Sequence, residues 1–138
     1  MLRFRPVVMA ILAGGLLAAC GDGLSISTGP GGISIFGTYT LETVNGESLP
    51  FLAFQVGNDR LEIISGSVRL NSDATYTTSF IFEWSESGTV IPVTESGTYT
   101  VAGNTIVFTD SLGTFTGSIS GNTLTVVDDD GATFVFRK

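Results

Sequence analysis

Residues 97–108 read GTYTVAGNTIVF, and a Gly103-Asn104 pair divides this stretch into two short runs. In each run apolar side chains alternate with small polar ones, which is the period of a strand with one buried face. A Gly-Asn pair accepts the positive φ angles that a tight hairpin needs. The same arrangement returns in TFTGSISGNTLTV at 114–126. The two stretches therefore predict two similar antiparallel hairpins.

Alternation of the same kind continues outward from these hairpins. It is found in FGTYTLETV at 36–44, which ends at Asn45-Gly46, in SVRL at 67–70 and in ATFVF at 132–136. Phe134 and Phe136 are predicted to face inward from the last of these strands. No long segment shows the period of a helix, so the chain is predicted to be all-β.

The longest alternating run follows the turn-forming residues 72–74. Its rings fall on one face of the predicted strand, and they are the candidate ligand-binding residues: Tyr76, Phe80, Phe82 and Trp84. An eight-stranded barrel is just wide enough to be filled by side chains or to hold one small ligand. Because large rings take up this volume, we expect a mostly packed core, with any pocket confined to one open end.

The spacing of the strands predicts the architecture. Strands recur about every 10 residues with hairpin-length turns, which favours sequential antiparallel neighbours. Closure of such a meander removes the exposed edges that an open sheet would leave. We therefore predict a small up-and-down meander of about eight strands closed as a barrel. An immunoglobulin-like sandwich is the competing architecture, but it needs longer crossovers than these turns allow.

The start of the predicted barrel resembles a known family. GTYTLETVNGESLP at 37–50 is similar to the first strand and turn of bacterial lipocalin-like domains, and LNSDATY at 70–76 and SGTY at 96–99 match the same pattern. The resemblance implies a lipocalin-like barrel over residues 36–138. The heat-shock lipoprotein domain of the META type shares the Asn-Gly and Leu-Pro opening, but its Gly-Cys-Asn motif is missing here.

The N-terminal residues 1–19 have the features of a signal peptide. Arg3 and Arg5 precede an apolar run at 7–19, which is too short for the roughly 20 residues that a bilayer-spanning helix needs. Leu17-Ala18-Ala19-Cys20 resembles the lipobox of bacterial lipoproteins. The resemblance implies cleavage before Cys20 and acylation of its thiol, which would anchor the chain to a membrane through lipid. The alternative is an ordinary secretory signal that leaves Cys20 free.

Residues 20–35 are interpreted as the lipidated cysteine and a flexible linker. GDGLSISTGPGGIS at 21–34 is rich in Gly and Ser and has no sustained apolar period. Leu24, Ile26 and Ile33 alternatively allow an additional edge strand. Gly21 stands where an Asp would retain a lipoprotein in the inner membrane, so the outer membrane is the more favoured location in the bacterial envelope.

Charge argues against a nucleic-acid partner. The chain has 13 acidic and 6 basic residues and a net charge of −7. Loss of Arg3 and Arg5 with the signal peptide would make the charge more negative still. Such a surface repels nucleic acid and anionic headgroups.

The residue types do not favour catalysis. The chain has no histidine, which is the commonest general base and metal ligand, and its one lysine is Lys138. A single cysteine excludes an intrachain disulfide. Glu83, Glu86 and Glu95 are interpreted as solvated acids rather than a catalytic pair. We therefore predict no enzyme activity and no cofactor.

The acidic run Asp128-Asp129-Asp130 has the composition of a candidate calcium site. It lacks the alternating oxygen ligands and the distant glutamate of an EF-hand loop. A polar hairpin turn that ends at Gly131 explains the run. No metal site is predicted.

Two functions of different classes remain. The first is a membrane-anchored envelope lipoprotein whose barrel is a non-catalytic binding module for a small apolar ligand. The alternative is a structural or protein-interaction lipoprotein with a solid core and no ligand. The interior volume of the barrel distinguishes them.

Overall fold

The computed structural model describes residues 34–138. Ten strands lie in this range, without a helix among the described residues. Their bounds are β1 Gly37–Val44, β2 Glu47–Ser48, β3 Phe51–Val56, β4 Asp59–Leu70, β5 Thr75–Trp84, β6 Val90–Ala102, β7 Thr105–Asp110, β8 Gly113–Ser120, β9 Thr123–Val127 and β10 Thr133–Arg137. The prediction of an all-β domain is confirmed.

Eight of these strands close into an antiparallel barrel. β4 to β10 pair in chain order, and β1 completes the ring by pairing with β10 on one side and with β4 on the other. Gly37 lies opposite Leu70, and Leu41 lies opposite Phe136. The up-and-down barrel is therefore confirmed, and the sandwich is excluded.

Two short strands are added where β1 and β4 separate. β2 pairs with the end of β1, and β3 pairs with the beginning of β4. Neither of them is predicted by the alternation of the sequence. A register shift between Ile63 and Ser65 marks a bulge in β4. Such a bulge increases the local bend and twist of a strand, which lets β4 pair with β3 outside the ring and with β1 inside it.

The predicted hairpin turns are present. Asn45 and Gly46 have φ angles of 52° and 82°, and Gly103 and Gly121 have φ angles of 60° and 57°. Positive φ angles of this kind give turns whose twist matches that of the strands they join. The Asn-Gly and Gly-Asn pairs therefore form the turns of these hairpins, as predicted.

One end of the barrel is closed by buried side chains. This closed end holds the turns at 71–74, 103–104 and 121–122 and both ends of the described range. The Tyr39 hydroxyl donates to the carbonyl of Ile35 at 2.7 Å, and the Tyr99 hydroxyl donates to the carbonyl of Asn71 at 2.6 Å. Lys138 donates to the carbonyl of Ser34 at 2.6 Å. The contacts of Tyr39 and Lys138 hold the start of the described range against the barrel.

The packed domain begins before residue 36. Ile35 lies in the predicted linker, yet its side chain is only 1% exposed and belongs to the core. Most of the linker and the signal peptide, with Cys20 and the alternative edge-strand residues Leu24, Ile26 and Ile33, lie outside the described residues.

Aromatic rings fill the middle of the barrel. Tyr76 meets Phe108 edge-on with 4.9 Å between ring centroids, and Phe108 stacks on Phe115 at the same distance. Glycines on the inner face leave room for these rings. A Cβ on Gly97 would overlap the carbonyl oxygen of Thr109 and approach the Tyr76 ring to 2.8 Å.

No helix among residues 34–138 is long and apolar enough to cross a membrane.

Candidate functional site

The opposite end of the barrel contains a cavity of about 220 Å³. This open end holds the connections at 85–89, 111–112 and 128–132. Lining residues come from the β7–β8 turn and the β9–β10 connection, so the cavity reaches the surface between them. Its volume is below the 300–1,000 Å³ of pockets for drug-sized ligands. A small ligand therefore fits it better than a long lipid.

Six phenylalanine rings make most of the apolar wall. They are Phe80, Phe82, Phe108, Phe115, Phe134 and Phe136. Period-two alternation along β5, β7, β8 and β10 brings all of them to the inner face. Phe80 lies at the centre of this wall, with centroid distances of 6.0 Å to Phe134 and 6.3 Å to Phe136. A Cβ on Gly66 would meet the Phe80 ring at 2.8 Å, so the glycine permits the position of that ring.

The predicted ligand-binding residues divide into three groups. Phe80 and Phe82 line the cavity. Tyr76 shares their face but lies deeper, only 1% exposed and packed against Phe108. Trp84 is half-buried near the open end and is not among the lining residues. The structure thus brings two of the four candidates to the cavity.

Two carboxylates face the cavity from neighbouring strands. Glu95 lies on β6 and Asp110 at the end of β7. Burial raises the pKa of Glu95, and the negative charge of Asp110 raises it further. Asp110 is held in place because its Oδ1 accepts the backbone N–H of Leu112 at 2.7 Å and its Oδ2 accepts the Tyr76 hydroxyl at 3.4 Å.

The interpretation of Glu95 as a solvated acid needs correction. Glu86 is exposed and Glu83 lies on the outer face of β5, but Glu95 is half-buried on the inner face of β6. The sequence indicates the inward position of Glu95, because period-two alternation puts it on the same face of β6 as Val93, Gly97 and Tyr99. All three glutamates flank the connection after β5, and nearness to that loop does not distinguish the inner face of β6 from its outer face.

The acidic run at 128–130 forms one rim of the cavity. Asp128 Oδ1 accepts the backbone N–H groups of Asp130 at 3.0 Å and of Ala132 at 2.8 Å, which is the arrangement of a side chain that stabilises a turn. Burial raises the pKa of Asp128. Among residues 34–138 no group of ligands suited to a metal ion occurs. The two hydrogen bonds of Asp128 agree with the turn interpretation.

A hydroxyl on the cavity wall has no partner. Thr78 lies on β5 between Tyr76 and Phe80, and its side chain is 7% exposed. Its Oγ1 atom is buried and makes no hydrogen bond within the described structure. Such an unpaired group costs about 1–3 kcal/mol and calls for an explanation.

Basic side chains do not line this cavity in the described structure. Arg60 pairs with Glu62 at 3.0 Å, and Arg137 lies 3.6 Å from Glu42. Arg69 and Lys138 lie at the closed end. All the charged lining residues are acidic: Glu95, Asp110, Asp128, Asp129 and Asp130. The site therefore combines an apolar wall with a negative rim.

Comparison with known proteins identifies no family. No protein-family model matches the chain, and no curated protein does. Among solved structures, a porin-like protein from Bacteroides uniformis ATCC 8492 matches with 18% sequence identity and a TM-score of 0.32. The match covers 82% of this chain and 42% of that protein, so the chain spans less than half of its length.

Proposed function

We propose that this protein is a lipid-anchored envelope protein whose barrel binds a small apolar ligand without catalysing a reaction. The observation that carries the proposal is the cavity of about 220 Å³ at the open end, walled by six phenylalanine rings. A cavity of this kind with a few convergent polar groups is the usual form of a small-molecule site. The lipocalin-like resemblance of residues 37–50 adds support.

The two ends of the barrel suit different tasks. The described range begins at the closed end, where Ser34 and Ile35 pack against Lys138 and Tyr39. A linker from Cys20 would therefore reach the barrel at the closed end. The cavity would remain accessible at the other end while the lipid stays in the membrane. Gly21 after the cysteine favours the outer membrane in this proposal.

A variant that fills the cavity tests ligand binding. Val93 is half-buried on the cavity wall, so we expect Val93→Phe to occupy the volume that the ligand needs. Val90→Phe is the matched control, because Val90 belongs to the same strand but is 53% exposed. Native mass spectrometry of each purified protein shows whether a small molecule is retained. Titration calorimetry with a panel of small apolar probes gives the affinity.

The expected result is saturable binding in the native barrel and in Val90→Phe, with loss of binding in Val93→Phe. If a broad panel of small apolar probes gives no saturable response and no ligand is retained, the binding function is wrong. Equal binding by Val93→Phe would place the ligand elsewhere on the protein.

The anchor is tested independently of the cavity. We expect Cys20→Ser to remove the protein from the membrane fraction, because the proposed lipid is attached to that thiol. Fractionation after a carbonate wash, with globomycin as a control for lipoprotein processing, measures this. A Cys20→Ser protein that stays in the membrane pellet would contradict the lipid anchor.

One observation favours the alternative of an interaction protein. Leu52, Phe54 and Val56 on the short edge strand β3 are 36%, 49% and 58% exposed. Adjacent apolar side chains on an edge strand can contact a protein partner. Absence of any small ligand, together with a partner lost in Phe54→Ser, would favour this second function.

A further inference from the structure

The charged residues that line the cavity all carry negative charge, and this restricts the ligands that the cavity can bind. Each charged residue of its lining is acidic, and the basic residues of the described chain lie elsewhere. Glu95 and Asp110 face the cavity beside apolar rings, where water screens charges less well than at the surface. An anionic ligand would add a further negative charge to this site. A fatty acid carboxylate is therefore disfavoured as the ligand.

A second and independent observation also points to a polar group on the ligand. Thr78 lies on the cavity wall and is 7% exposed, and its Oγ1 has no hydrogen-bond partner among residues 34–138. Buried hydroxyls are nearly always paired in native proteins. A ligand that donates a hydrogen bond to this oxygen would supply the missing partner, because the hydroxyl can accept as well as donate.

We infer that the ligand of this cavity is a small primary amine with an apolar body, held as the ammonium ion by Glu95 and Asp110. This inference rests on the proposed binding function and specifies its ligand class. The ammonium group has three N–H donors, which suit two carboxylates and the Thr78 hydroxyl. The apolar body packs among the phenylalanine rings, whose faces also attract a cation.

The rim at 128–130 supports the same ligand class. Asp128, Asp129 and Asp130 stand where the cavity meets solvent. Their negative charge raises the local concentration of cations and speeds their entry, and it opposes the entry of anions. The acids of the rim and those of the wall therefore select the same sign of charge.

Three compounds with one alkyl chain test the inference. Octylamine, octanoate and octanol share the apolar body and differ only in the polar group. The affinities are measured by titration calorimetry on the full-length protein. We expect octylamine to bind about tenfold more tightly than octanol, the effect of one charge-assisted contact, and octanoate to bind least.

Matched variants assign the effect to the cavity. Glu95→Gln keeps the shape of the side chain and removes its charge, so octylamine should bind about tenfold more weakly while octanol is unaffected. Glu83→Gln makes the same change on the outer face of β5 and should leave both affinities unchanged. Far-UV circular dichroism of each variant confirms that the barrel is intact.

The possible outcomes separate the ligand class from the binding function. If octanol or octanoate binds as tightly as octylamine, the amine inference is wrong and the binding function stands. If none of the compounds binds, the binding function fails as well. If Glu95→Gln and Glu83→Gln weaken octylamine binding equally, or if Glu95→Gln does not weaken it, the amine is attracted to the acidic surface in general. Either result would overturn the inference.

Discussion

At the scale of single residues, the inner face of the barrel contains three polar side chains that an apolar core would not require. Thr78 has an unpaired hydroxyl, Glu95 is a half-buried acid, and Asp110 holds a turn while facing the cavity. An apolar residue at position 78 or 95 would avoid the cost of burying an unpaired hydroxyl or a carboxylate. Their presence on one wall is the residue-level reason to regard this end of the barrel as a site.

Replacement of Thr78 should stabilise the empty barrel. Thr78→Val keeps the branched shape and removes the unpaired oxygen, so we expect the free energy of unfolding to rise by about 1 kcal/mol. Thr77→Val on the outer face is the control and should change it by less than about 0.5 kcal/mol. Urea denaturation measures both. A loss of stability in Thr78→Val would show that the hydroxyl is paired in solution.

The raised pKa of Glu95 predicts a pH-dependent effect. Because the folded state binds this proton more tightly than the unfolded chain does, the contribution of Glu95 to stability is complete below pH 4.5, its ordinary pKa, and falls as pH rises through the raised pKa. Asp110 and the Tyr76 hydroxyl face the same space. Glu95→Gln should therefore stabilise the protein at pH 7 and not below pH 4.5.

The expected gain at pH 7 is about 0.5 kcal/mol, since water partly screens a half-buried side chain. Thermal or urea unfolding at pH 4 and pH 7 measures the difference, with Glu83→Gln as the control. An equal gain at both pH values would contradict a charge effect.

At the scale of the strands, glycines and bulges determine how the rings fit. Gly66 and Gly97 lie on the inner faces of β4 and β6, and the rings of Phe80 and Tyr76 occupy the space that their missing side chains leave. The bulge between Ile63 and Ser65 bends β4 and keeps Ile63 and Val68 on the cavity side. Inner-face glycine therefore has a packing function in these strands, separate from the conformational function of glycine in the turns.

Gly97→Ala tests that packing function. The new methyl group would overlap the carbonyl oxygen of Thr109 and press on the Tyr76 ring, so β6 and β7 would have to separate. We expect the free energy of unfolding to fall by about 2–3 kcal/mol. Ser96→Ala, on the outer face of the same strand, should cost less than about 0.5 kcal/mol. Similar unfolding midpoints for the two variants would contradict the proposed contact.

At the scale of the whole molecule, the barrel is closed around its circumference but differs between its two ends. Tyr39, Tyr99 and Ile35 close one end through buried contacts, and Lys138 covers it. The other end has the cavity and the acidic rim. The proposed attachment point and the proposed ligand site therefore lie at opposite ends of the barrel.

The barrel should fold without the segment that precedes it. Residues 34–138 contain all the described strand pairings and no cysteine, so we expect the fragment to fold without a metal ion or a disulfide. Far-UV circular dichroism in EDTA and reductant should show strands and almost no helix, with one cooperative unfolding transition. A spectrum of a disordered chain would contradict the independence of this domain.

The sequence alone determined the strand class, the hairpins and the closure of the barrel. The strand class and the hairpins follow from period-two alternation and from Asn-Gly and Gly-Asn pairs, which are local properties of each segment. Closure follows from the short spacing of the strands and from the exposed edges that an open sheet would leave. Phe134 and Phe136 are predicted to face inward from period-two alternation, and each is buried. Interactions between residues that are near in sequence therefore predict most of the strands and turns.

Only the tertiary structure decided where the interior is filled and where it is empty. Phe82 lines the cavity, Tyr76 lies beneath it and Trp84 is outside it, although one alternation pattern includes all three. The strand stagger, the bulge in β4 and the glycines at 66 and 97 set the depth of each ring. Depth depends on partners that are distant in sequence, so alternation assigns a residue to a face but not to a cavity.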